Sequence, residues 1–286
     1  MIKLGCAIPG GSFMPEGVAE VPTSPDIQII EKCRTVLAEG YDFTECGGGM
    51  LSSLDAGQRE NLLNENAKRP LKVLAVNSLM PVHYRLADPK SNKDEYLEYA
   101  ANLFDTMSEL GAKYAVFGSG TARAVNPEAY SREEGLDTIT KFLVTLGALA
   151  DYRGITVVIE PLRSSETNVF VTVPETGDYV RKLKCPGVKL LYDSFHMAEE
   201  KTDLSCMGKY TDLLRHCHIS EAPHRTRPGS SDGGDLSYNR RFAKELLKCG
   251  YTGGVSVECG FSNFAEDIRL AHEYLNEIFG LEKVHR

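Results

Sequence analysis

Ionisable side chains follow four consecutive apolar runs in the second half of the chain. Glu160 ends TVVIE, Asp193 ends VKLLYD, His218 lies in HCHIS, and Glu258 ends GVSVE. Three unpaired carboxylates buried together would be very costly, so their proximity would require a cation. Mostly oxygen ligands with one imidazole suit a hard or borderline divalent ion. We therefore predict one divalent metal ion per chain, with Mn²⁺ as the first choice and Mg²⁺, Co²⁺ or Zn²⁺ as alternatives.

These and neighbouring residues also have simpler interpretations. A single acidic strand end is often a cap paired with Arg or Lys, although four on successive strands favour a shared site. His216 points to the same face as His218 and can equally be a core histidine with a hydrogen-bonded ring. Glu45 ends an earlier apolar run, where an ion pair or a supporting contact is favoured over a place in the site. The loop GSGT at 118–121, together with Arg123, could cradle a phosphate, but a plain loop is the simpler interpretation.

Eight short apolar runs that alternate with amphipathic helical stretches predict the fold. The runs cover residues 3–7, 41–45, 71–76, 114–117, 156–160, 189–193, 216–220 and 254–258. Apolar strands that alternate with helices indicate a parallel sheet covered by helices. Eight such units fit a closed barrel better than an open sheet, and GxGxxG is absent after the first strand. We predict one α/β domain over residues 1–286, a (β/α)8 TIM barrel whose site lies at the C-terminal ends of its strands.

Two further features belong to this fold prediction. Gly187 stands between a helical pattern and a strand, as do Gly40, Gly111, Gly154 and Gly250, so all five are expected to end helices in the left-handed conformation. The stretch 222–235 follows the seventh strand and is predicted to be a functional loop.

Composition and charge argue against several partners. The chain has 32 Lys and Arg against 40 Asp and Glu, a formal net charge of −8. An acidic chain binds phosphate backbones and anionic lipids poorly, so neither nucleic acid nor a membrane is expected as a partner. No apolar stretch approaches the ~20 residues of a membrane span, and the first residues lack a secretory pattern. The eight scattered cysteines, without a CxxC pair, indicate a reduced, cytoplasmic protein.

Four segments resemble the sugar isomerase/epimerase group of the xylose isomerase-like TIM barrels. They are IEPL…E at 159–166, YDSFH at 192–196, HCHISE…R…PG at 216–229 and VSVE at 255–258. The greatest likeness is to the D-tagatose and D-psicose 3-epimerases. The resemblance implies that Glu160, Asp193, His218 and Glu258 are the four metal ligands. It also implies that Glu160 and Glu258 are the catalytic acid and base.

The resemblance assigns substrate contacts as well. It implies that Glu166, His196 and Arg225 bind the substrate. Arg225 follows His218 by seven residues where six is usual in the family, so His224 and Arg227 remain alternatives to it. The segments IPGGSF at 8–13 and CGF at 259–261 depart from the epimerase pattern. The resemblance therefore leaves the sugar itself open.

The activity implied is that of a metal-dependent sugar epimerase or isomerase of carbohydrate metabolism. One glutamate would remove the proton α to the carbonyl of a ketose, free or phosphorylated, and the divalent ion would stabilise the enediolate. The other glutamate would return a proton to the opposite face. The expected partners are a small-molecule sugar and further copies of the chain, as a homodimer or tetramer.

Three alternatives remain open from the sequence. An inosose dehydratase-type lyase would share the same first proton abstraction. An apurinic endonuclease-type zinc nuclease would need additional histidines at the third and fourth strands, which instead end in VNSL and FGSG. A binding protein without catalytic activity would not require the complete set of acid, base and ligand residue types.

Overall fold

A computed structural model describes residues 1–10, 23–230 and 235–281. The strands are β1 Lys3–Ala7, β2 Phe43–Gly47, β3 Val73–Asn77, β4 Tyr114–Phe117, β5 Thr156–Ile159, β6 Val188–Asp193, β7 Leu214–Ile219 and β8 Gly254–Val257. The helices are α1 Pro25–Ala38, α2 Gly48–Ser52, α3 Ala56–Lys68, α4 Lys93–Leu110, α5 Gly120–Arg123, α6 Arg132–Asp151, α7 Val173–Leu183, α8 Ser194–Glu199, α9 Ser237–Lys248 and α10 Phe264–Phe279, with a 3-10 helix at Leu204–Tyr210.

The strands form a closed parallel barrel, which confirms the predicted (β/α)8 fold. They are hydrogen-bonded in chain order from β1 to β8, and β8 pairs with β1 through Leu4 and Val255. The parallel register places Asp193 of β6 beside His218 of β7, and His218 beside Ser256 of β8. Residues far apart in the sequence therefore meet at one end of the barrel.

The helices follow their local signals for starting and packing. Ser131 and Glu134 form a capping box at the start of α6, and Asp55 and Gln58 form another at the start of α3. Each long helix turns an apolar face to the strands, and this layer forms the main core. Within the described residues, no helix is long and apolar enough to span a bilayer.

Several observed boundaries differ from the predicted ones. β2 begins at Phe43 rather than at residue 41, because Tyr41 packs outside the sheet and donates its hydroxyl to Ile268 O at 2.7 Å. β5 and β8 each end one residue before their glutamate. Part of the predicted 222–235 loop, residues 231–234, lies outside the described residues. Residues 11–13 of the 8–13 segment do so too.

The prediction that Gly187 ends a helix is wrong. Helix α7 ends at Leu183, and Lys184 takes the left-handed conformation there with φ 51°. Gly187 instead allows a close approach between backbones, because a Cβ atom at this position would lie 2.1 Å from Gly147 O of helix α6. Its lack of a side chain therefore serves the packing of α6 against β6.

The Phe43 ring fills the barrel at the N-terminal end of β2. A Cβ atom at Gly5 would lie 2.0 Å from Phe43 Cε2, and one at Gly254 would lie 2.9 Å from Phe43 Cζ. The two glycines therefore leave the space that the ring occupies. Val116, Val158 and Leu191 form a small apolar cluster of their own, separate from the main core. Alternation along β5 puts Glu160 on the same side as Val158.

Candidate active site and metal centre

The four predicted metal ligands meet at the C-terminal end of the barrel. Asp193 ends β6, His218 lies in β7, and Glu160 and Glu258 directly follow β5 and β8. All four residues are at most 5 % exposed. One possible ligand atom of each lies within 4.8 Å of those of the others. The barrel register thus brings together the residues that the sequence singled out.

One imidazole nitrogen contacts both glutamates. His218 Nδ1 lies 3.1 Å from Glu160 Oε1 and 2.8 Å from Glu258 Oε2. Gly118 makes room for Glu160, since a Cβ atom there would lie 2.5 Å from Glu160 Oε2. The start of the GSGT segment, directly before helix α5, therefore accommodates a carboxylate of the site.

Asn77 is a site residue that the sequence reasoning missed. It ends β3, is 5 % exposed, and donates from Nδ2 to Glu258 Oε1 at 2.8 Å. The signal was a polar residue directly after the apolar run LKVLAV. An uncharged amide there did not stand out beside the acidic strand ends.

Burial and neighbouring charges move the pKa values of the two glutamates apart. Burial raises the pKa of Glu160 to about 7, against the hydrogen bond and charge of His218. Burial also opposes ionisation of Glu258, but His218 and Arg225 outweigh it and lower the pKa of Glu258 to about 2. Two carboxylates on one imidazole with separated pKa values are suited to acid–base work.

The other two members of the group respond to the same forces. Burial raises the pKa of Asp193, while the charges of Arg225 and His218 act against it. Burial would lower the pKa of His218, but Glu258 and Glu45 raise it well above the ordinary histidine value. The site is thus strongly negative and held together by cationic partners.

Arg225 is the residue of its loop that enters the site. Its Nη2 lies 3.0 Å from Asp193 Oδ2 and also donates to Glu258 Oε2. The β7–α9 loop turns back on itself through backbone bonds between Glu221 and Thr226, and Arg225 takes φ 52° within that turn.

The two alternatives to Arg225 are placed elsewhere. His224 is exposed, and Arg227 forms an ion pair with Asp267 at 3.3 Å. The structure therefore favours Arg225 for contact with the site.

His196 lies in helix α8, three residues after Asp193 in the chain. It is 2 % exposed, its Nε2 lies 3.4 Å from Asp193 Oδ2, and its Nδ1 accepts from Arg163 N at 3.3 Å. Burial and the charge of Arg225 lower the pKa of His196 well below its ordinary value, so the ring is neutral. Its Nε2 also lies 3.0 Å from Arg225 Nη1, which can only donate, so the ring is held between Arg225 and the backbone N–H of Arg163.

Glu166 is linked to the site through Arg163. Its Oε1 lies 2.7 Å from Arg163 Nε, and the backbone N–H of Arg163 faces the His196 ring. Glu166 is partly exposed on the β5–α7 loop, where its backbone oxygen lies close to Gly120. It thus lies at the edge of the buried group rather than inside it.

Arg123 does not fit the suggested phosphate cradle. It is fully buried and donates to three backbone oxygens, those of Phe117, Glu160 and Phe170. Burial lowers its pKa to about 9. The guanidinium thus links the ends of β4 and β5 to the β5–α7 loop by hydrogen bonds. The hypothesis that it binds a phosphate is wrong.

Glu45 and His216 lie beneath the four ligands. Glu45 is fully buried in β2 and bridges His216 and His218 at 2.9 and 3.0 Å. Burial lowers the pKa of His216, so its ring is a neutral hydrogen-bonded core histidine. The supporting role expected for Glu45 agrees with these contacts.

The donor set fits a divalent ion. Three carboxylates and one imidazole are the ligands that Mn²⁺, Mg²⁺, Co²⁺ or Zn²⁺ accept, and the converging negative charge is a reason for a cation to bind. The His218 imidazole is held by the Glu45 carboxylate on its other nitrogen, a contact that metal-binding histidines commonly make.

Comparisons with known proteins agree with the fold and with the enzyme class. Residues 33–278 match the family described as xylose isomerase-like TIM barrel. A ketose 3-epimerase of Arthrobacter globiformis is 29% identical over 264 residues, 90% of this chain and 83% of that protein. A 3-dehydro-D-guloside 4-epimerase of Escherichia coli K12 is 26% identical over 170 residues, 57% of this chain and 62% of that protein.

A solved structure extends the likeness over nearly the whole chain. The D-psicose 3-epimerase of Clostridium cellulolyticum H10, solved with D-tagatose, has a TM-score of 0.79 at 16% identity and covers 97% of this chain and 99% of that one. At this identity the likeness shows the fold. The curated relatives are named epimerases and isomerases, which confirms the prediction of an enzyme of that class. The chain belongs to the xylose isomerase-like TIM barrel family.

Proposed function

We propose that this chain is a divalent-metal-dependent epimerase or isomerase that acts on a ketose. The observation that carries the proposal is the contact of Glu160 and Glu258 with one His218 nitrogen, inside a buried cluster where their pKa values are far apart. The ketose 3-epimerase relative supports a ketose as the class of substrate.

Glu160, Asp193, His218 and Glu258 would hold the metal, with Mn²⁺ as the first choice. When bound, a divalent ion polarises the substrate carbonyl and offsets the negative charge that develops during proton removal. The donor set is equally compatible with Mg²⁺, Co²⁺ and Zn²⁺.

The two glutamates would move the proton. A bound cation would keep Glu160 ionised, which is the state that a base needs to accept the α proton of the substrate. Glu258 would act as its partner, with its orientation fixed by Asn77. Two bases at one carbon can invert it, whereas one base that carries the proton to the neighbouring carbon isomerises the sugar.

The remaining residues would position the substrate. The His196 ring and the Arg225 guanidinium lie beside Asp193, where they would hold substrate hydroxyls in the reacting geometry. Glu166 would act at the edge of the site through Arg163. Arg123 donates to backbone oxygens and is buried, so it does not offer a contact for a phosphate. We therefore propose a free ketose as the substrate in preference to a phosphorylated one.

Solvent exchange tests this proposal. In D₂O, the wild-type enzyme with Mn²⁺ is expected to exchange the C–H hydrogen of its ketose. Glu160→Gln and Glu258→Gln should each abolish the exchange while measurable Mn²⁺ binding persists. Asp26→Asn, which removes a buried carboxylate on the outer helix α1, is the matched control and should exchange normally. Exchange that survives in both Gln variants would disprove the two-base mechanism.

The substrate panel separates the alternatives. It should contain free ketoses, the same sugars with a terminal phosphate, 2-keto-inositol and DNA with an abasic site. Epimerisation or isomerisation of free ketoses supports the proposal. Dehydration of 2-keto-inositol would instead identify a lyase, and DNA cleavage with about three zinc ions per chain would identify a nuclease.

A further inference from the structure

A row of three side chains leads from the site into the closed part of the barrel. His218, Glu45 and His216 are each 0 % exposed and come from strands β7 and β2. The Glu45 carboxylate spans the two rings, with Oε1 3.0 Å from His218 Nε2 and Oε2 2.9 Å from His216 Nε2. Both carboxylate oxygens therefore have an imidazole partner, and the proposed catalytic steps use neither Glu45 nor His216.

The hydrogen bonds specify which proton His218 keeps when a metal ion binds. An ionised carboxylate can only accept, so His218 Nε2 must be the donor toward Glu45. Nδ1 faces the carboxylates of Glu160 and Glu258, so without a metal both ring nitrogens are protonated. When a metal displaces the Nδ1 proton, Nε2–H remains bonded to Glu45 and the lone pair lies on Nδ1. A metal ligand needs that lone pair on the side of the site.

His216 limits the orientation of the Glu45 carboxylate. The same reasoning makes His216 Nε2 a donor, so the two oxygens of Glu45 are fixed by bonds in two directions. The His216 ring stacks on Tyr114 with ring centres 5.8 Å apart and planes at 27°, and it is tilted against Phe43 at 5.9 Å. Its Nδ1 has no hydrogen-bond partner among the described residues. The contact with Glu45 is thus the polar contact that orients the ring.

We propose that Glu45 is a positioning residue that fixes the Nε2–H tautomer of His218 and so turns Nδ1 toward the metal, and that His216 holds Glu45 in place. The inference rests on the proposed metal-dependent function and goes beyond it by assigning a task to two residues outside the ligand set. The carboxylate also makes the His218 ring a stronger ligand, because the Nε2–H bond to an anion increases the electron density on Nδ1.

Glu45→Gln is the first test. Gln has the same shape but no charge, and offers one acceptor and one donor where the two histidines need two acceptors. Mn²⁺ affinity measured by calorimetry is expected to fall about 10–100-fold, the usual effect of losing a partner of a metal-bound histidine. Asp26→Asn makes the same chemical change at a buried carboxylate of α1 and should leave the affinity unchanged.

His216 variants separate hydrogen bonding from packing. His216→Gln can keep an N–H donor close to the position of Nε2, so Mn²⁺ affinity should stay within about threefold of wild type, less than the effect of losing an outer partner. His216→Phe keeps a ring of similar size but loses the donor, and its affinity should fall as in Glu45→Gln. Equal affinities of the Phe and Gln variants would overturn the role assigned to His216. Thermal unfolding of each variant verifies that it is folded.

Imidazole ¹⁵N spectra of the Zn²⁺-loaded protein read the tautomer directly. The wild-type spectrum should show His218 with a protonated Nε2 and a coordinated Nδ1, and its Nε2–H resonance should move upfield in Glu45→Gln. Coordination through Nε2, or unchanged metal affinity in Glu45→Gln, would overturn the inference alone. Failure of the wild-type protein to bind Mn²⁺ and Zn²⁺ more tightly than His218→Asn would overturn the proposed function, and the inference with it.

Discussion

Glu160 and Glu258 share a histidine but differ in the charge around them. Arg225 donates to Glu258 and lies beside Asp193, whereas burial dominates at Glu160. The difference in their pKa values, about 7 against about 2, comes from burial at Glu160 and from the charges of His218 and Arg225 at Glu258.

The pH dependence of metal binding follows from these protons. Below pH 7 the metal-free site holds a proton on Glu160, and His218, whose pKa is raised, holds another. Metal binding must displace both, so Mn²⁺ affinity should fall as pH decreases through 7. The slope should approach about two protons, or roughly 100-fold per pH unit. Calorimetry in buffers of different ionisation enthalpy counts the protons released. A constant affinity between pH 6 and 8 would contradict this charge assignment.

Arg225→Ala should weaken the reaction more than changes at its neighbours. Loss of a charge-assisted hydrogen bond to substrate oxygens costs about 2 kcal/mol, or roughly 30-fold in kcat/KM. His224→Ala and Arg227→Ala are the matched controls from the same loop and should remain within about threefold. Steady-state kinetics on the best ketose of the panel makes the comparison. A larger loss in either control would move the substrate contact to that residue.

At the scale of the element, one close contact between α6 and the start of β6 restricts which residue can stand at position 187. Gly187 lies directly before β6, and a Cβ atom there would be 2.1 Å from Gly147 O. Backbone oxygens cannot rotate away as side chains do, so helix and strand would have to separate. Apolar packing along the whole of α6 opposes that separation.

Gly187→Ala should therefore reduce the free energy of unfolding by about 1–3 kcal/mol, the usual cost of overpacking. Gly49→Ala is the comparison, because no atom lies within 4 Å of its added methyl group and the residue is in helix α2. That variant should be neutral or more stable by up to about 1 kcal/mol. Urea unfolding measures both. Equal stability of the two variants would show that α6 can shift at little cost.

Local sequence patterns were sufficient to predict the strands that carry the site, but they were insufficient to predict the conformation of the turns. The four predicted metal ligands could be found because each lies at the end of an apolar run. In a parallel barrel all strands end at the same rim, so these side chains must meet there. They are Glu160, Asp193, His218 and Glu258. Arg225 could not be chosen over its neighbours, because its position depends on the backbone turn between Glu221 and Thr226. Spacing in the sequence does not encode that turn.

Burial of polar residues was the other property that the sequence did not reveal. Arg123 and Asn77 look like ordinary surface residues in the sequence, yet each is at most 5 % exposed. Their partners are backbone oxygens and a distant glutamate, which only the closed barrel brings near. Similarly, the left-handed residue after α7 is Lys184, whereas Gly187 serves the close packing against Gly147.

For the whole molecule, metal binding should appear as thermal stability. An ion that binds only the folded chain at about 100 times its Kd adds about 2.7 kcal/mol. For a chain of 286 residues that corresponds to a rise of about 4–5 °C in Tm when Mn²⁺ replaces EDTA. Asp193→Asn should remove most of the rise without loss of the fold. A wild-type Tm that is equal with Mn²⁺ and with EDTA would contradict the proposed metal centre.

The shape of the barrel also decides how molecules reach the site. The Phe43 ring occupies the far end, between Gly5 and Gly254, so within the described residues the C-terminal rim is the approach to Glu160 and Glu258. Substrate and product must then use one entrance in turn, which suits a reaction that converts a single molecule into a single molecule. Product should consequently inhibit competitively, and a compound lodged at the rim should block the forward and the reverse reaction alike.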